Sequence, residues 1–202
     1  MKIPACIPLV ALASLFPIGA QAQSVLSLPT YTVFGGFTNV RNRFDYGPPG
    51  VPTQGPVFYV NGWEGTIERQ VGLGISAVAD FSQQYGSATG GPFVGGSQQE
   101  NQTFALFGPE FSLRVAHRVI PFAHFLLGPS YGTVFNEYED GDGPSTGKVF
   151  DFTTAVGGGV DIKITGPLWI RAVQVERLHT HSDFNGDHAT QMRISAGISF
   201  RF

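Results

Sequence analysis

The sequence predicts an all-β protein, an eight-stranded antiparallel up-and-down transmembrane β-barrel, on three observations. First, residues 191 to 202 alternate apolar and polar side chains and stop on Phe202, the pattern of a strand with lipid on one face and a polar lumen on the other. Second, the amino terminus reads as an export signal. Third, charge is sparse (13%) beside 27 glycines, yet after residue 22 no uninterrupted apolar segment approaches the roughly twenty residues a spanning helix needs. A chain of this kind crosses a membrane only as strands. It must also close, because an open sheet edge in hydrocarbon leaves N–H and C=O groups without partners.

The signal peptide is read over residues 1–22. Lys2 precedes an apolar stretch from Ile3 to Ile18, and Gly19-Ala20-Gln21-Ala22 supplies an Ala-x-Ala site for cleavage after Ala22. The stretch contains Pro4, Pro8 and Pro17 and is too short to span. The only cysteine, Cys6, falls inside it, so the expected mature domain, residues 23–202, has no disulfide. Net charge is −3 and becomes more negative without Lys2, which argues against nucleic acid as a partner.

The alternation predicts strands at about 30–41, 61–71, 73–83, 101–115, 119–135, 149–164, 168–179 and 189–202. Tight connections at 71–72, 116–118 and 165–167 alternate with long ones at 42–60, 84–100, 136–148 and 180–188. The long ones are rich in Gly, Pro, Asn, Asp and Gln. Short turns at one end and long loops at the other suit a membrane barrel. In the first strand the outer face is open between Tyr31, Val33, Gly35 and Phe37 on one parity and Thr32, Phe34, Gly36 and Val40 on the other. In the second, Trp63, Gly65, Ile67 and Val71 share one face against Glu64, Thr66, Glu68 and Gln70. In the sixth, Phe150, Phe152, Val156, Val160, Ile162 and Ile164 oppose Asp151, Thr153, Gly157, Gly159, Asp161 and Lys163. The apolar sets are expected to face lipid and the polar sets to face inward. Gly108-Pro109 and Gly128-Pro129 interrupt the fourth and fifth strands. Proline cannot donate to a ladder, so both are expected to be bulges.

Summed over strands, the inward face collects Glu64, Glu68, Asp80, Glu110, Arg114, His124, Asp161, Lys163, Glu176 and Arg193. Charges of both signs confined together must be paired and hydrogen-bonded. Eight strands leave an interior just wide enough for side chains. A plugged polar lumen is therefore expected, rather than a continuous aqueous channel.

At this point the chain resembles the small OmpA/OmpX-type outer-membrane β-barrels of Gram-negative bacteria. The resemblance is carried by the signal segment, Val33-Phe34-Gly35-Gly36-Phe37, Gly62-Trp63-Glu64-Gly65, Val78-Ala79-Asp80-Phe81 and Phe107-Gly108-Pro109. It continues through Pro121-Phe122-Ala123-His124, Gly157-Gly158-Gly159-Val160-Asp161 and Ser195-Ala196-Gly197-Ile198-Ser199-Phe200-Arg201-Phe202. It implies residence in the outer membrane after Sec-type export, with outer-membrane lipid and the assembly machinery as partners and a monomeric state. Phe200 and Phe202 correspond to the terminal aromatic signal that this machinery reads. The resemblance further implies a structural, surface-interaction or defence role without catalysis. The peptidoglycan-binding domain of full-length OmpA-like proteins is not expected, and no cofactor is implied. Small-solute (porin-like) conduction and lipid modification are the alternatives.

Four other site readings weigh less. His179, His181, Asp183, Asp187 and His188 have the residue types for a zinc-like site, since histidines at i and i+2 share a strand face. A polar external loop with solvated histidines is the stronger reading of them. Eight-stranded lipid A deacylases place a serine two residues from a histidine, whereas His181 and Ser182 are adjacent and point to opposite faces. Glu139-Asp140-Gly141-Asp142-Gly143 resembles the start of a calcium loop without its later ligands. The inward Glu64, Glu68, Glu110 and Glu176 against Arg114, Lys163 and Arg193 suggest an ion path, but a static network fits an eight-stranded lumen better.

Deleting Phe202 is expected to lower the folded outer-membrane population without changing export. Heat-modifiable gel mobility and periplasmic accumulation report this, and unchanged assembly refutes the role given to that residue.

Overall fold

The computed structural model describes residues 31–45, 54–89, 97–137, 145–181 and 189–202. The signal segment, the Glu139–Gly143 motif, and Ser182, Asp183, Asp187 and His188 lie outside them. Eight strands follow in chain order: β1 (Tyr31–Asp45), β2 (Gln54–Gly72), β3 (Ile75–Thr89), β4 (Ser97–Ser112), β5 (Val119–Glu137), β6 (Ser145–Thr165), β7 (Leu168–Thr180) and β8 (Ala189–Arg201). Each pairs antiparallel with its sequence neighbours. β1 closes on β8 through a ladder from Thr32↔Arg201 to Arg41↔Met192. The expected up-and-down barrel is the fold observed.

Lipophilicity is inverted relative to a soluble protein. Phe37, Trp63, Ile67, Phe107, Phe125, Phe150, Val156 and Ile198 are exposed, while Glu64, Asp80, Asp161, Glu176 and Arg193 are buried. Such an exterior is stable only against acyl chains. The competition in β1 resolves with Tyr31, Val33 and Phe37 outward and Thr32, Phe34 and Val40 buried. No helix among the described residues is long and apolar enough to cross a membrane.

Three expectations are corrected. Most strands run further toward the loop end than the apolar alternation does. The β3–β4 ladder continues to Thr89↔Ser97 through Ser87↔Gln99 and Gly86↔Glu100, because polar residues beyond the lipid band still satisfy their backbone groups by pairing. The two prolines are not bulges: Phe104↔Ser130, Phe107↔Leu127 and Glu110↔His124 keep one register across both. Pro109 and Pro129 face outward while Gly108 and Gly128 lie close against the opposite backbone, where a Cβ would come 2.0 Å from the Phe125 carbonyl oxygen and 2.1 Å from that of Ala105. The ladder thus gives up individual bonds at these sites without inserting a residue. True register shifts sit instead in β7, between Arg171 and Gln174 against β8 and beside Val160/Asp161 against β6. Third, the interior is not wholly polar, because Val78, Phe104, Leu106, Leu126, Ala155 and Leu178 form a buried apolar cluster.

A narrow lumen forces large side chains to alternate with small ones. A Cβ on Gly36 would meet the Phe34 ring at 2.4 Å, one on Gly159 the Phe122 ring at 2.7 Å, and one on Gly86 the Val60 side chain at 1.9 Å. The glycines make room for their neighbours. At the closing seam Gly36 pairs with Gly197, and a Cβ on Gly197 would lie 2.3 Å from the Gly35 carbonyl oxygen. Two tight turns use glycine for its backbone: Gly74 has φ 70° and Gly166 has φ 46°, where a Cβ is strained.

Gly197→Ala is expected to destabilise the barrel by about 1–3 kcal/mol, the usual cost of overpacking. Gly35→Ala, whose Cβ meets nothing within 4 Å, is expected to stay within about 0.5 kcal/mol. Urea unfolding in detergent micelles measures both.

Candidate functional site: the charged lumen

Inward parity brings polar side chains from most strands to one axis, where two arginines organise them. Arg171 on β7 donates from Nε to Asp161 Oδ1 (3.0 Å) on β6, from a terminal nitrogen to Gln174 Oε1 (2.8 Å), and from the other to Glu68 Oε1 (2.7 Å) on β2. Its guanidinium lies between the rings of Phe34 and Phe122, 4.4 and 4.3 Å from their centroids. The edge of the cation thus meets acceptors while both faces meet π clouds, which a planar delocalised cation does better than an ammonium.

Arg193 on β8 donates to Glu176 Oε2 (2.5 Å), to Ser82 Oγ (2.5 Å) and to Asp80 Oδ1 (3.3 Å). Glu64 lies 3.8 Å from its Nε and bridges the two centres, accepting from Gln174 Nε2 (2.8 Å) and Ser195 Oγ (2.6 Å). His124 on β5 extends the web. Its Nε2 is 2.7 Å from Glu176 Oε1 and its Nδ1 3.8 Å from Glu110 Oε2. Toward the turn end, Arg201 donates to Asp161 Oδ2 and lies over the Trp169 ring at 4.5 Å. Toward the loop end, the apolar cluster is followed by Thr153 donating to Ser130 (2.8 Å), with Thr180 3.1 Å away.

Of the ten inward candidates, Glu64, Glu68, Asp80, Glu110, His124, Asp161, Glu176 and Arg193 are buried in this web. Two are not in it. Arg114 lies beyond the end of β4 at Ser112 and is exposed. The expected strand ran to 115 and β4 ends at Ser112, yet the hairpin continues in register, Leu113 N–H donating to the Pro121 carbonyl and Val115 N–H to that of Val119, so Arg114 keeps its parity but stands at the open turn end, where water solvates its charge. Lys163 is half-buried, its ammonium 5.7 Å from the Trp169 centroid at the mouth rather than on a lumenal carboxylate.

Sequence reading missed the central cation. Counting back by twos from Glu176 puts Arg171 outward, in lipid. The register shift between Arg171 and Gln174 turns Arg171 to the inner face that Gln174 already occupies, and Ala172 and Val173 are consecutive exposed residues. That apolar pair between two polar residues was the available signal. A charge facing hydrocarbon would cost on the order of 2–4 kcal/mol at the midplane, which also favours a bulge there. Arg201 was missed too, although its alternation with Ser199 was legible.

His181 is exposed, with Nδ1 3.3 Å from the Phe152 carbonyl oxygen and its ring 4.8 Å from that of His179. Among the described residues no group of three or more His, Cys, Asp or Glu is arranged to hold a metal.

The sequence matches no family model, and no curated protein matches it. The structure is similar to solved outer-membrane barrels. Ail, the attachment invasion locus protein of Yersinia pestis, is 14% identical, with 86% of this chain and 99% of that chain covered and a TM-score of 0.55. Neisserial surface protein A is 9% identical, with 86% and 97% covered and a TM-score of 0.58. The fold is that of the eight-stranded outer-membrane barrels.

Arg193→Met, which strands Asp80, Glu64 and Glu176 without their shared cation, is expected to lower unfolding free energy by about 3–5 kcal/mol. Arg114→Ala is expected to stay within about 0.5 kcal/mol. Equal effects in a micellar unfolding titration would refute the assignment of these two arginines.

Proposed function

We propose that this protein is a monomeric, non-enzymatic outer-membrane barrel whose lumen is plugged by its own side chains. It serves the envelope as a structural element or presents its four long loops outside the cell. Outer-membrane lipid surrounds it, and it reaches that membrane by Sec-type export and the assembly machinery. The observation that carries this reading is the Arg171 centre. A guanidinium held by Asp161, Glu68 and Gln174 and clamped between Phe34 and Phe122 occupies the axis from several strands at once. To open a solute path there, the charge would have to leave partners on β2, β6 and β7 together, exposing buried carboxylates.

The porin-like reading requires such an opening. The lipid-modifying reading requires a nucleophile beside a base; the described contacts of His181 include the Phe152 carbonyl and the ring of His179.

Purified protein refolded into planar bilayers is expected to give no unitary current steps. Steps of stable size would overturn the plugged lumen. Lipid A from cells with and without the protein is expected to show one acyl pattern by mass spectrometry, and a change abolished by His181→Ala would overturn the non-enzymatic reading.

A further inference from the structure

Charge is sorted across the barrel wall. Among strand residues whose side chains are described, the acidic ones share the inward parity, whereas the ionised groups exposed on the outer face are basic: Arg41, Arg69, Lys148 and Arg177. Arg69 belongs to the turn end, where it lies 5.9 Å from the Tyr31 centroid. Arg41 and Arg177 belong to the other end. β8 places both opposite the same residue, since Arg41 pairs with Met192 on one side and Arg177 pairs with it on the other. Two strand spacings set their backbones about 10 Å apart, so two long cationic side chains converge over one exposed methionine. Tyr59 stands beside Arg41 in the β1–β2 ladder.

Their height is informative. Arg41 lies about ten residues along β1 from Tyr31, which at a strand rise of 3.3 Å and a tilt near 40° is about 25 Å, the height of the apolar band. Beneath the pair the outer face is Val175 and Ile194, both exposed, and under Arg41 comes Asn39, donating to Asn61 Oδ1 (2.8 Å), with exposed Phe37 below it. Above it come His179 and Thr190. The guanidinia therefore sit at the border where hydrocarbon gives way to headgroups. Neither has an ion-pair partner among the described residues.

We propose that Arg41 and Arg177, flanking Met192, bind the phosphate-bearing headgroup of a lipid in the loop-side leaflet. The occupant must satisfy two demands at once. The surface of Val175, Ile194 and Phe37 below requires acyl chains, and the surface at Met192 requires negative charge. A soluble polyanion meets only the second demand. Guanidinium forks match phosphate oxygens bidentately, and the spacing lets both reach one headgroup. The barrel then becomes a point of attachment for the charged lipid around it. The proposal rests on the membrane-spanning reading but is independent of whether the lumen is plugged, so silence or current in planar bilayers leaves it standing.

The test uses the refolded chain in phosphatidylcholine nanodiscs doped with lipid A carrying phosphate or with the same lipid dephosphorylated, bound lipid being counted by native mass spectrometry. The wild type is expected to retain the phosphorylated lipid preferentially. Removing charge is expected to cost on the order of five-fold for Arg177→Gln and twenty-fold for Arg41→Gln with Arg177→Gln. Arg69→Gln is expected to change nothing. Heat-modifiable mobility confirms folding of each variant, and should the double variant fail to fold, Arg177→Gln alone decides. Arg41→Lys with Arg177→Lys keeps the charge and is expected to retain most binding. Equal retention of the dephosphorylated lipid, equal retention by the glutamine variants, or displacement by millimolar inorganic phosphate would each overturn the proposal.

Discussion

A β-sheet in hydrocarbon has no water to satisfy its edges, so everything in this molecule depends on β1 meeting β8. The seam runs from Thr32↔Arg201 to Arg41↔Met192 and passes through the Gly36↔Gly197 pair, where the two backbones approach without intervening side chains. Closure at eight strands then fixes the bore. A bore of that width cannot hold a full complement of large inward residues, and the inward glycines beside Phe34, Phe122 and Val60 follow from the same geometry.

The narrow bore also decides how charge is handled. Six carboxylates, from Glu64, Glu68, Asp80, Glu110, Asp161 and Glu176, are buried with Arg171 and Arg193, with Arg201 and His124 at their margins. Attraction between such groups repays desolvation only when geometry is good and the remaining lone pairs are occupied. Each arginine here serves several acceptors, and neutral Gln174, Ser82 and Ser195 take up positions a further charge would otherwise need. Arginine suits this better than lysine because its five donors diverge in one plane, leaving two faces free for aromatic rings. The outer wall has the opposite arrangement, with basic residues at its borders and acyl chains between them. The protein thus keeps its acids where it supplies the cations itself, and shows cations where the membrane supplies anions.

Much of this was legible in the amino-acid order. Period-two alternation with long and short connections located eight strands, and parity assigned Glu64, Glu68, Asp80, Glu110, Asp161, Glu176 and Arg193 to the inside, because a side chain in an unbroken strand has only two directions. The failures cluster where that premise breaks. Arg114 lies past the last residue of β4, at the open turn end where a side chain meets water whatever its parity, and Arg171 was left outside by a strand that slips one residue between it and Gln174. Pro109 and Pro129 erred in the other sense, since a missing donor does not require an inserted residue when the preceding glycine lets the strands stay close.

The sequence by itself determined the all-β class, the number of strands, the lipid-facing set and most of the polar inner set, because these depend on local periodicity and on the need to pair every backbone group in hydrocarbon. Only the tertiary structure decided which charges meet. Arg171 lies far in the chain from Glu68 and from Phe34, and their contact depends on closure, on stagger and on a bulge, none of which leaves more than a faint mark on local order. The same is true of Arg41, which joins Arg177 beside Met192 only because the first strand of the barrel closes against the last.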